Sequence, residues 1–150
     1  MSLTGLYFED YEINRTYYTN SRTITEADHV NFTTSFGFFE SLFMDQPYVE
    51  THTPYGKRVV PGMLTLSTAE GLAILSGIFN GTGVAFLGLE MKILKPVFIG
   101  DTITVEIEVV SKRETKNQDR GIVTYKHLVI NQEKQIVMTY QIKRMIKRKA

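Results

Sequence analysis

The most apolar stretch of the chain, from Tyr55 to Gly77, predicts one buried helix. Between Met63 and Leu75 the apolar residues recur at spacings of three and four but also fill the flanks, and Glu70 is the only charge. Pro61 suits a helix start, where its missing N–H costs nothing, and Gly77 suits a helix end. Because a helix that is apolar nearly all round is buried, we expect the rest of the chain to wrap around it.

The second half of the chain alternates between apolar and polar residues, as strands do. The pattern is clearest in Thr102–Lys112, where Ile103, Val105, Ile107 and Val109 share one face. Turn residues separate the predicted strands. The other strands are predicted at Arg15–Ile24, Val84–Leu94, Val97–Ile99, Ile122–Ile130 and Ile136–Met145.

The segment before the central helix predicts short helices. Thr25 can cap a helix whose first turn carries acidic residues, and we expect this helix to turn Val30, Phe32 and Phe36 inward. An apolar loop or broken helix follows at 36–44, and a short helix is predicted at Tyr48–Thr53. A strand, short helices, one buried helix and an antiparallel run together predict an α+β fold, a curved sheet around a helix.

Composition narrows the class of protein. At 150 residues a single domain over 1–150 is expected. A net charge of +1 gives no general attraction to nucleic acid, and the absence of cysteine excludes disulfides and thiolate chemistry. No apolar run reaches the roughly 20 residues of a membrane span, and the N-terminus has no signal pattern, so we expect a cytoplasmic protein without membrane contact. No phosphate loop or metal-ligand cluster is apparent, so neither cofactor nor metal is expected.

Three motifs, TITEAD, YGKRVVPGMLTLS and LGLEMKILKPVFIGDTITVEIEV, resemble the MaoC-like branch of the hot-dog fold. The resemblance extends from about Tyr7 to Tyr140. It implies a sheet wrapped around the central helix, and an acyl-CoA or acyl-carrier thioester as substrate, as in (R)-specific enoyl-CoA hydratases and acyl dehydratases. It also implies that two subunits pair into a homodimer, or a higher homo-oligomer, with thioester tunnels at the interface.

The catalytic signature of that family departs here. Its usual Asp-x-Asn-Pro-x-His matches the run that begins at Phe38, so that Phe38 stands at the Asp position and Phe43 at the His position. Hydration of an enoyl thioester needs groups that move protons, and phenylalanine cannot do so. Phe38 and Phe43 are expected instead to line the substrate tunnel. The resemblance implies that the Gly62 N–H faces the thioester carbonyl, with Met63 also binding substrate; the alternative for Gly62 is a tight turn that needs glycine.

Three other residues are candidates for the missing acid–base work. Glu70, alone on the buried helix, should be paired or have a raised pKa. Glu40 interrupts an aromatic run, and His52 precedes a turn; each either replaces a lost group or faces solvent. His29 and His127 are expected to be structural or exposed.

The basic tail over 143–149 is expected to be solvated, or to lie near the phosphates of a coenzyme A.

Two classes of function stay open at this point, with a third beside them. The chain is a hydratase or dehydratase with rearranged acid–base groups, or a non-catalytic module that binds an acyl thioester or pairs with an active homologue. Thioester hydrolysis on the same fold is the third.

Overall fold

The computed structural model describes residues 4–150, in which antiparallel strands surround one long helix. None of the helices in this part of the chain is long and apolar enough to cross a membrane. The strands are β1 (Thr16–Tyr18), β2 (Arg22–Thr23), β3 (Gly83–Ile93), β4 (Thr102–Glu114), β5 (Arg120–Ile130) and β6 (Ile136–Lys147). The helices are α1 (Glu26–Phe36), α2 (Ser41–Met44), α3 (Gln46–His52) and α4 (Gly62–Leu75), with a 3₁₀ turn at Phe8–Asp10 before them.

The sheet has the order β1-β4-β5-β6-β3, with β2 added to β4, and every pairing is antiparallel. The alternation in β4 gives the predicted inner face, because Ile103, Val105, Ile107 and Val109 are all buried. The arrangement confirms the α+β class and the curved sheet around a central helix.

Helix α4 lies on the inner face of this sheet. Its buried residues are Leu64, Thr65, Leu66, Thr68, Ala69, Leu72 and Ala73. The expected burial on all sides is wrong for the single chain, because Met63 is 48% exposed, Ile74 60% and Leu75 70%. The sheet covers one side of α4 and leaves an apolar strip open on the other.

Helix α1 begins as predicted and packs differently. The Thr25 hydroxyl accepts from the Asp28 N–H, and the Asp28 carboxylate accepts from the Thr25 N–H, which holds the pKa of that carboxyl below its usual range. The buried residues of α1 are His29 and Thr33, whereas Val30 and Phe36 are exposed and Phe32 is half-buried.

The inward orientation predicted for Val30 and Phe36 is therefore wrong. His29 and Thr33 occupy the buried side because their polar atoms find partners there: the His29 ring lies 2.7 Å from the Phe43 carbonyl, and the Thr33 hydroxyl donates to the His29 carbonyl. Phe36 packs on Phe32 at the surface, with ring centroids 5.0 Å apart.

Two predicted strands are only partly present. The segment Arg15–Ile24 divides into β1 and β2. The segment Val97–Ile99 is not a strand, and within residues 4–150 it forms a single isolated bridge, between Val59 and Phe98. The reason is the turn that follows: the Phe98 N–H donates to the Asp101 carboxylate and the Asp101 N–H to the Phe98 carbonyl, so the backbone curls.

The basic tail is not a solvated one, contrary to expectation. Most of it belongs to β6, and the residues that follow are held by carboxylates. Arg148 donates to Glu9 and Glu114, and Lys149 pairs with Asp10. The C-terminal segment is thereby fastened beside the start of the chain.

We predict that Leu72→Ala lowers the free energy of unfolding by about 2–5 kcal/mol. Leu72 is on the buried side of α4, and removing most of its side chain leaves a cavity against the sheet. Urea denaturation followed by circular dichroism measures this. Val30→Ala is the control, since Val30 is also an aliphatic residue of a helix but is exposed on α1, and it should change stability by about 0.5 kcal/mol at most. Equal effects of the two substitutions would contradict the described packing of α4.

Candidate functional site

A cavity of about 250 Å³ lies at the N-terminal end of α4. Its walls are mostly apolar and come from five segments: the α2 helix, the chain leading into α4, the start of α4 itself, the end of β3 with the following turn, and the start of β6. The residues that line it are Leu42, Phe43, Tyr55, Val59, Val60, Gly62, Thr65, Ile93, Lys95, Pro96, Val97, Val137 and Met138. An apolar pocket of this kind with a few polar groups is typical of a binding site for a small molecule.

Gly62 gives the cavity a backbone donor. It is the first residue of α4, and within residues 4–150 its N–H forms no hydrogen bond. The positive end of the helix dipole also favours a partly negative oxygen at this point. A Cβ on residue 62 would lie 2.5 Å from the Ile93 Cδ1 atom, so a larger residue here would push the Ile93 side chain aside.

Of the two phenylalanines that replace the usual catalytic pair, Phe43 lines the cavity. The buried His29 fixes its backbone, with Nε2 2.7 Å from the Phe43 carbonyl oxygen. Phe38 lies behind it, with ring centroids 6.3 Å from Phe43 and 5.1 Å from Phe32. The sequence places His29 on α1, but no sequence pattern indicated that His29 would support the cavity wall.

Three of the other predicted site residues lie away from the cavity. Glu40 is exposed at the start of α2. His52 is also exposed, stacked on Tyr48 with ring centroids 4.8 Å apart. Met63 points its half-exposed side chain to the open side of α4 and does not line the cavity. Their assignment to the site remains a prediction.

Glu70 belongs to a polar network under α4. The Tyr140 hydroxyl donates to the Glu70 carboxylate at 2.7 Å, and Arg144 forms an ion pair with the other carboxylate oxygen. The guanidinium of Arg144 also lies over the Phe79 ring, 4.4 Å from its centroid. The sequence predicted that Glu70 would be paired or have a raised pKa, and the structure shows that it is paired. Both carboxylate oxygens accept from strong donors.

His127 completes this network and is buried. Because the Tyr140 hydroxyl donates to Glu70, it accepts from the His127 Nδ1–H, 2.7 Å away, and the Nε2 atom has no partner within the described residues. Burial, and then the charge of Arg144, lower the pKa of His127 to about 3. The imidazole is therefore neutral at pH 7, and its 3.6 Å approach to Glu70 is not an ion pair.

The sequence reasoning missed Thr65, which also lines the cavity. It is fully buried, and its hydroxyl has no hydrogen-bond partner in the described part of the chain. Its position three residues after Gly62, on the same side of the helix, was the available signal.

The cavity therefore offers one backbone donor, Tyr55 and Lys95, but no carboxylate and no imidazole among the described residues that line it. This arrangement can bind a carbonyl group but has no evident general base.

We predict that His127 makes the protein less stable as the pH falls below about 6.5, the pKa of an unfolded histidine. Between that pH and a folded pKa of about 3, the unfolded chain binds a proton that the folded chain does not. The expected slope is up to about 1.4 kcal/mol per pH unit. Urea denaturation at a series of pH values from neutral down toward the folded pKa measures it.

His127→Gln should remove this part of the pH dependence, although it lowers stability at pH 7 because it disturbs the bond to Tyr140. His52→Gln is the matched control, since His52 is exposed and the variant should keep the wild-type slope. Identical slopes for wild type and His127→Gln would contradict the neutral buried imidazole.

Comparison with known proteins identifies relatives of this chain. Residues 9–131 match the family described as "MaoC like domain". The chain is 34% identical over 116 residues to protein MaoC of Klebsiella aerogenes, covering 77% of this chain and 33% of that protein. It is 37% identical over 78 residues to the (R)-specific enoyl-CoA hydratase of Aeromonas caviae, covering 52% of this chain and 56% of that protein. The matched region thus spans about a third to about half of the length of these relatives.

Solved structures agree with the fold. A protein from Archaeoglobus described as a monoamine oxidase regulatory protein superposes with a TM-score of 0.90 at 34% identity, covering 98% of this chain and 97% of that one. A Mycobacterium tuberculosis protein with a double hotdog fold superposes with a TM-score of 0.87 at 17% identity, covering 99% and 46%. The second likeness supports the fold alone. On the family match and the full-length structural likeness, this chain belongs to the MaoC-like family and has the hot-dog fold.

Proposed function

We propose that this chain binds an acyl thioester, with the thioester carbonyl at the Gly62 N–H and the start of the acyl chain in the adjoining cavity. The observation that carries the proposal is the Gly62 N–H, which has no hydrogen-bond partner among residues 4–150. It lies at the end of an apolar cavity, where the helix dipole favours a partly negative oxygen. The name of one relative supports the ligand class, since that protein is an (R)-specific enoyl-CoA hydratase.

We further propose that binding, and not hydration, is the activity of the isolated chain. Hydration requires a group that deprotonates water and one that protonates the α-carbon. Phe38 and Phe43 supply neither, and the described residues of the cavity wall include no carboxylate or imidazole. The predicted substitutes do not fill the gap: Glu40 and His52 are exposed, and Glu70 is engaged by Tyr140 and Arg144.

The first expected result is that the wild-type protein binds butyryl-CoA in isothermal titration calorimetry and does not measurably hydrate crotonyl-CoA. Gly62→Ala should weaken butyryl-CoA binding about tenfold, because the added methyl group meets Ile93 and narrows the cavity. Gly71→Ala is the matched control, since a Cβ there contacts nothing within 4 Å, and it should bind like wild type. No binding of butyryl-CoA, or equal effects of the two glycine variants, would contradict the site.

The same assay tests the alternative of an active enzyme. Rapid hydration of crotonyl-CoA by the wild type would show that other residues carry the chemistry, and Glu40→Gln, His52→Ala and Glu70→Gln would then identify them. Hydrolysis of butyryl-CoA would indicate a thioesterase instead. If the cavity lacks only the Asp and His of the usual catalytic signature, the folded double variant Phe38→Asp with Phe43→His should gain hydration activity.

We also propose that the protein forms a homodimer through β3. Within the described residues that strand pairs only with β6, and its free edge carries exposed apolar residues, among them Val84, Phe86 and Leu87. An unpaired apolar edge is a template for pairing with a second strand. The start of α4 lies beside this strand, because Gly62 closely approaches Ile93, so a second copy at this edge would also lie near the exposed strip of α4.

Multi-angle light scattering at micromolar concentration is expected to give the mass of a dimer. Leu87→Lys should shift the protein toward the monomer, because the charge would be buried at the paired edge. Tyr18→Lys is the control, since Tyr18 is 71% exposed on β1, at the other end of the sheet, and it should leave the dimer intact. A wild-type monomer at all concentrations would contradict the proposed edge.

A further inference from the structure

A groove crosses the outer face of the sheet, the face turned away from α4. One row of residues, opposite each other on neighbouring strands, runs along it: Gly88 on β3, Lys143 on β6, Thr124 on β5 and Ser111 on β4. Opposite residues share a face of the sheet, whereas successive residues of a strand alternate between faces. Because Ile142, next to Lys143, is buried on the inner face, this row points outward. We call the space above it the outer groove.

Small side chains keep the outer groove open. Three of the four residues in the row are glycine, serine or threonine, and a Cβ on Gly88 would meet nothing within 4 Å. The adjoining row has long side chains, Glu90, Gln141, Lys126 and Glu108. The outer groove has a volume of about 690 Å³, which is within the range of pockets that hold small organic molecules.

The outer groove carries two exposed cations, Arg113 and Lys143, that form no ion pair within residues 4–150. They come from β4 and β6, on either side of β5. Among the described lining residues one carboxylate, that of Glu90, opposes them, so the lining has an excess of positive charge. The exposed Ser111 adds a hydroxyl donor. A guanidinium, an ammonium and a hydroxyl are donors that suit a phosphate group.

The surroundings limit the size of the anion. Glu106 and Glu108 point to the same outer face, because they alternate with buried residues of β4, and Glu90 joins them across the sheet. These carboxylates would repel a polyanion such as a nucleic acid or an anionic membrane. Leu87 and Ile122 offer apolar contact beside the cations. The combination suits a small molecule with one phosphate group and an apolar part.

We propose that the outer groove is a second binding site, which takes a small organic phosphate monoester whose phosphate group meets Arg113, Lys143 and Ser111. The outer groove shares no lining residue with the cavity at Gly62. It therefore does not depend on the proposed binding of acyl thioesters. The two cations are also on strands other than β3, so replacing them leaves the proposed dimer edge unchanged.

The test titrates phenyl phosphate into the isotope-labelled protein and follows two-dimensional amide NMR spectra. The signals of Ser111, Thr124 and Lys143 should shift, whereas those of Phe43 and Gly62 should not, because they belong to the other cavity. Binding should weaken as the salt concentration is raised, since the charges are exposed and salt screens them.

Two kinds of variant separate charge from shape. Arg113→Gln and Lys143→Gln should each weaken binding of phenyl phosphate about fivefold, through loss of a charge-assisted hydrogen bond at an exposed position. Gly88→Leu keeps the charge and should weaken binding at least as much, because its side chain fills the outer groove. Lys134→Gln is the matched control: it removes the same charge from an exposed turn outside the outer groove and should bind like wild type.

The same spectra establish that each variant is folded. Unshifted signals of the outer groove, or wild-type affinity in both Arg113→Gln and Lys143→Gln, would overturn the site. Inorganic phosphate, titrated in parallel, should bind more weakly because it cannot contact Leu87 and Ile122, and equal affinity would overturn the assignment of an ester. The proposed thioester binding has its own test in Gly62→Ala, so the two can fail separately.

Discussion

Burial of one side of α4 against β4, β5 and β6 is the interaction on which the rest of the structure depends. Full burial of a leucine side chain contributes about 1.5–3 kcal/mol, and α4 brings Leu64, Leu66 and Leu72 to the sheet. The same contact forces one acidic residue, Glu70, beneath the helix. Its charge is tolerated because Arg144 neutralises it and Tyr140 donates to it.

That packing also places the site. The Val60 N–H donates to the Val97 carbonyl, and just after this point the chain enters the core and α4 begins. The first N–H groups of α4 therefore face a gap between α2, the end of β3 and the start of β6. The cavity is a consequence of how the helix enters the sheet. Side chains such as Phe43 then determine which chemistry the gap can support.

Local signals made much of the fold predictable, since the alternation of β4 and the Thr25 cap each depend on neighbours in sequence, and both are present. The resemblance to the family likewise indicated Gly62 and Phe43, and both line the cavity. Predictions failed where distant contacts decide, as on the inner side of α1 and in the tail. The strand predicted at Phe98 failed for a local reason, because the turn to Asp101 curls the backbone. The position of Thr65, three residues after Gly62 on the same helix, was a signal for its place in the cavity wall that the prediction did not use.

The ion pairs that fasten the tail have a consequence for chain connectivity. Glu9 and Asp10 hold Arg148 and Lys149, so the two ends of the domain meet on one side of the sheet. A short Gly/Ser linker could join these ends without stretching the fold. The chain could then be opened at the exposed hairpin loop near Asn117. The resulting circular permutant would begin with β5 and β6, continue through the linker to the helices, and end with β4.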